Sequence, residues 1–143
     1  MARRGWVVLI AVCVAGCSGL PGGAEGDLSR AAGESASAVS AAQFALEQRT
    51  DLGTTRSHAV TVVSDALEGV LGAYDTVAEL EVATVDESAH RATLLVRLGD
   101  AVAVLGDTRS HLDGLASAPD AAALGTDLES LAGFLSDFAE GGR

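Results

Sequence analysis

Four residues suited to chemistry occur twice in this chain. Thr55-Arg56-Ser57-His58 and Thr108-Arg109-Ser110-His111 lie within two longer segments, Leu52–His58 and Leu105–His111, which differ only at Thr54 and Asp107. Arginine offers a rigid fork of donors to a carboxylate or phosphate. Histidine titrates near neutrality, and the hydroxyls add further donors and acceptors. At the same offset of 53 residues, Glu34-Ser35-Ala36 matches Glu87-Ser88-Ala89. Leu67-Glu68 and Gly72 match Leu128-Glu129 and Gly133 at an offset of 61. The pattern reads as a duplicated helical hairpin.

If the chain reverses near residues 82 and 83, Arg56 comes opposite Arg109, with His58 and His111 close by. Two guanidiniums at such a pseudo-twofold axis repel unless an anion lies between them. Arg56, His58, Arg109 and His111 are therefore the candidate ligand-binding residues, for an anionic ligand or a partner carboxylate. The structural alternative is that Asp51, Asp107, Asp113 or an acid of the last helix neutralises the arginines, so that the motif is a polar end-layer that sets register.

Metal binding is the second chemistry to weigh. Asp86 and His90, and Asp107 and His111, are pairs four apart on one helical face. Glu87-Ser-Ala-His90 is similar in spacing to the Glu-x-x-His motif of ferritin-like di-iron bundles, which need it on two helices. The duplicate here reads Glu34-Ser-Ala-Ser37 and lacks the histidine. His58, Asp107 and His111 remain as a candidate zinc set. The sequence calls for no cofactor. It holds no G-x-S-x-G, Walker loop, H-E-x-x-H or G-x-G-x-x-G, so the expected class is not an enzyme.

The chain begins MARRGWVVLIAVCVAGC. Arg3 and Arg4 precede an apolar run from Val7 to Ala15, and small residues lead into Cys17. This is the layout of a secretory signal, too short to remain as a membrane span. Val14-Ala15-Gly16-Cys17 resembles the lipobox of bacterial lipoproteins. The resemblance implies cleavage before Cys17, lipid on its sulfur, and an address on the extracytoplasmic face of the cell membrane. The expected organisation is a signal peptide over 1–16, a lipidated cysteine and flexible tether over 17–27, and a bundle domain over 28–140.

Composition narrows the partners. Arg3 and Arg4 are two of the nine basic residues, so seven stand against 20 acids beyond the signal, a net charge of −13 with His neutral. Such a chain is poorly matched to nucleic acid phosphates or an anionic lipid surface. Cys13 leaves with the signal and Cys17 carries lipid, so no disulfide is available and packing alone must hold the fold.

The elements that must position these residues are helices. Apolar residues recur at three and four, not at two. Val60, Val63, Leu67, Val70, Tyr74 and Val77 form one seam, and Leu95, Leu98, Val102, Leu105 and Leu112 a second. Leu124, Leu128, Leu131, Leu135 and Phe138 form a third. Val39, Ala42 and Leu46 mark a weaker, alanine-rich stripe. Thr84-Val-Asp-Glu87 reads as a capping box, and Pro119 suits the first turn of a helix. Gly53 predicts a break, giving helices over 29–52, 55–80, 85–116 and 119–139. A continuous 29–80 helix, and hence three helices, is the alternative. The expected fold is all-α, an antiparallel up-down bundle. The function that fits is a membrane-anchored, acidic interaction module with a protein partner. The alanine-rich first helix leaves room for such a partner, or for pairing of two copies as a homodimer.

Overall fold

The structure is a computed structural model that describes residues 22–115 and 117–141. Among these residues four helices follow in order: α1 (Ala24–Asp51), α2 (Arg56–Glu79), α3 (Val85–Leu112) and α4 (Ala121–Gly141). Ser29 Oγ donates to the carbonyl of Ala139, which ties the start of α1 to the end of α4. Arg56 at the head of α2 meets Asp113 at the tail of α3. Neighbours in sequence thus run antiparallel, and the fold is an up-down four-helix bundle. α1 packs on α2, α3 and α4, whereas among the described residues α2 and α4 are not in contact.

Glycine and the hydroxyl residues set the ends. α1 stops at Leu52, and Gly53 takes φ +67°, a conformation glycine adopts at no steric cost. The break at Gly53 therefore separates α1 from α2. Thr55 caps α2 by accepting from the His58 amide at 3.4 Å. The predicted capping box opens α3: Thr84 Oγ1 accepts from the Glu87 amide, and Glu87 Oε2 accepts from the amides of Ala83 and Thr84. The Ala83 and Thr84 bonds hold the Glu87 carboxyl below its ordinary range. α3 ends in a Schellman turn. Gly114, at φ +79°, donates to His111 and Leu115 donates to Ser110.

Four boundaries differ from expectation by two residues or more, one of them the end of α4 at Gly141 rather than 139. α1 starts at Ala24, so Ala24–Asp27, expected in the tether, are helical. Glu25 and Asp27 lie in that first turn, where the helix dipole favours acids. α3 ends at Leu112 rather than 116. Pro119 lies outside α4, because Asp120 takes the capping role and its Oδ1 accepts from the Ala123 amide at 2.8 Å.

The core is built on heptad spacing. On α3 the buried line is Leu94, Leu98, Ala101, Leu105, Thr108 and Leu112, at steps of four and three. On α1 it is Leu28, Ala32, Ser35, Val39, Ala42 and Leu46, with Ala31, Ala36 and Ala45 buried beside it. These alanines let three helices approach α1 closely. They are absorbed by the bundle itself and leave no room along that line for a partner. On α2 the buried line includes Ala59, Val63, Ala66, Val70 and Val77. The expected α2 seam straddled this line and a neighbouring one, because a valine or leucine outweighs an alanine in a hydrophobicity pattern. Val60 and Leu67 are half-buried and Tyr74 is exposed. The α4 seam is buried from Leu124 to Leu135, with Phe138 half-buried. Arg97 lies over the Phe134 ring at 4.8 Å and joins α3 to α4.

Candidate functional site

Both copies of the repeated motif lie at the end of the bundle where α1 and α3 finish and α2 and α4 start. They do not meet as a symmetric pair. Arg56 Nη2 donates to Asp113 Oδ1 at 2.9 Å and to the Asp113 carbonyl at 3.1 Å. Arg109 Nε stands 4.0 Å from Oδ2 of the same carboxylate. One aspartate thus answers both guanidiniums, which is the structural role weighed for Asp113. The expected facing of Arg56 and Arg109 is corrected by about one helical turn. Tyr74 likewise lies beside Gly99, and Arg91 Nη1 reaches the Leu80 carbonyl at 2.7 Å. The extended connection from Leu80 to Thr84 does not reverse tightly, so α3 begins beyond the end of α2.

The remaining candidates are dispersed. The His111 Nδ1 lies 2.9 Å from the Pro119 carbonyl. A carbonyl only accepts, so this nitrogen carries the proton, and the side chain pins the α3–α4 connection. The His58 side chain is exposed on the first turn of α2, and Asp107 is exposed on α3. Among the described residues no group of three or more His, Cys, Asp and Glu side chains is arranged to hold a metal ion. The zinc set of His58, Asp107 and His111 is therefore not assembled. The Asp86–His90 and Glu87–His90 pairs are not assembled either. Glu87 is spent in the capping box, and His90 Nδ1 lies 2.8 Å from Glu25 Oε1 of α1. That contact was hidden in the sequence because Glu25 stood among glycines that read as tether. Cys17 lies outside the described residues.

The open spaces are grooves between helices. One between α1 and α4 holds about 580 Å³ and is lined by small residues such as Gly33, Ser37, Ser40 and Gly133, with Glu129. One between α1 and α2, of about 570 Å³, is lined by Asp27, Glu34, Gly69, Gly72 and Thr76 among others. Neither gathers a nucleophile with a histidine base. No described helix is long and apolar enough to cross a membrane. No family model, no curated protein and no solved structure matches this chain.

Proposed function

We propose that this chain is a lipid-anchored lipoprotein of the extracytoplasmic membrane face. Its acidic bundle serves as an interaction module rather than a catalyst. The observation that carries the reading is the order of parts: a positive, apolar, small-residue leader ending in Cys17, followed almost at once by a folded helix at Ala24. Only six residues, Ser18 to Gly23, separate the anchor point from α1, a reach of at most about 25 Å. The bundle is therefore held close to the bilayer, with the head of α1 nearest to it. The repeated motif then faces away, about 40 Å further out at 1.5 Å per helical residue.

An anchor of this kind needs two or more acyl chains for stable attachment. Feeding cells an alkyne-bearing palmitate and reading incorporation into the chain tests it. Wild type should take the label and sediment with membranes. Cys17→Ser should lose both. An unlabelled wild type, or label that survives Cys17→Ser, contradicts the reading.

A further inference from the structure

We propose that the outer face of the α2–α3 hairpin docks an amphipathic helix of another protein, one with an apolar stripe flanked by lysine or arginine. This names the partner chemistry of the interaction module proposed above and rests on that reading.

The argument starts from a surplus of apolar surface. α2 carries two adjacent heptad lines. The first, from Ala59 to Val77, is buried. The second is Val60, Leu67, Leu71 and Tyr74, spaced by seven, four and three, which places them along one face. Gly69, Gly72 and Thr76 line the groove toward α1, so this second line lies on the other flank, beside α3. Leu71 is 44% exposed and Tyr74 37%, while Val60 and Leu67 are half-buried. α3 continues the strip. Leu95 and Val102 are half-buried, Gly99 accepts the edge of the Tyr74 ring, and Val96 stands 64% exposed next to them. The strip runs about 20 Å along the hairpin, close to four helical turns.

The charge beside it selects the occupant. Asp65, Glu68, Asp75 and Glu79 run along the outer line of α2, all exposed. Among the described residues no hydrogen bond or ion pair engages any of the four. Between Ser57 and His90 the chain has no arginine or lysine to neutralise them. A row of unpaired carboxylates beside a leucine-tyrosine strip favours a cationic partner and repels an acidic one. A second copy of this chain would bring its own four acids to the contact. Anionic lipid would be repelled in the same way. An amphipathic helix with basic flanks satisfies both the strip and the row.

The test uses the full chain carrying Cys17→Ser in a mild non-ionic detergent. The probe is a fluorescein-labelled 18-residue helical peptide with leucines at three- and four-residue spacing and lysines on both flanks. Binding is followed by anisotropy. The expected result is saturable binding that falls about tenfold or more when Leu71→Ser and Tyr74→Ser are combined. Glu68→Gln with Asp75→Asn should weaken it and flatten its salt dependence. Phe44→Ser, on an exposed part of α1, should leave it unchanged. Equal affinity for all variants overturns the proposal, as does equal binding of a peptide with glutamate flanks. A dimer of the chain that is lost with Leu71→Ser and Tyr74→Ser also overturns it, because a second copy then covers the strip. Lipid attachment plays no part in this assay. Its failure leaves the anchor standing, and failure of palmitate labelling leaves the docking face standing.

Discussion

Thr55–His58 and Thr108–His111 have the same four residues and opposite structural lives. The first copy begins a helix. Its threonine is outside the helix and caps it, and its arginine is the first helical residue. The second copy ends a helix. Its threonine is buried in the core and donates to the Val104 carbonyl at 2.8 Å, and its histidine holds the next loop. The glycine two positions before each threonine diverges in the same way. Gly53 breaks the chain at positive φ, whereas Gly106 lies inside α3. A short sequence match thus fixes side-chain types but not their job. The job depends on where the surrounding heptad pattern ends.

The largest effect that sharpens this contrast is at the threonines. Thr108→Asp places an unpaired carboxylate in the core and should cost more than about 3 kcal/mol, enough to lose most of the melting transition. Thr55→Asp should be close to neutral, since aspartate is as good a cap. Equal thermal shifts for the two variants would break the comparison.

The glycines come next. Gly53→Ala should destabilise by about 1 kcal/mol, because alanine is strained at φ +67°. Gly106→Ala meets open space on a helix and should stabilise by about 0.5–1 kcal/mol. Denaturant midpoints should therefore move in opposite directions.

The arginines should differ less. Arg56→Ala loses two bonds to Asp113, both exposed, and should cost at most about 1 kcal/mol. Arg109→Ala should fall within about 0.5 kcal/mol. A double variant that abolishes binding of phosphate or a dicarboxylate would instead make the end-layer a ligand site.

The smallest effect separates the two helix heads by pH. Glu87 carries a carboxyl held low by its bonds to Ala83 and Thr84. Its stabilising effect is full above the ordinary value of 4.5 and fades as pH falls through the lowered folded value. The stability gap between wild type and Glu87→Gln should be constant near neutrality and close in acid. Thr55→Ala, at the cap of α2 without a carboxylate, should show no such closing.

The helices, their antiparallel order and the break at Gly53 were legible because leucine and valine recur at helical spacing and because Gly53 and Thr84 have local chemistry. The identity of the buried line was less so. Ala59, Ala66 and Ala101 sit in the core with little side chain to announce it, and Val60 and Leu67 drew the seam toward themselves. Register was not legible, since the offset between α2 and α3 is set by five connecting residues and by Arg91 reaching Leu80. The candidate site was legible as a set of residues at one end of the bundle. It was not legible as geometry, because Asp113 was one of several acids able to answer the arginines and the α2–α3 register that selects it was not fixed.

The central claim is that the mature chain starts at Cys17 and is held there by lipid. Intact-mass and N-terminal peptide mass spectrometry on the membrane-extracted protein tests it most directly. The account predicts a first residue of Cys17 with diacylglycerol mass on its sulfur. A chain that starts elsewhere, or an unmodified Cys17, would contradict it.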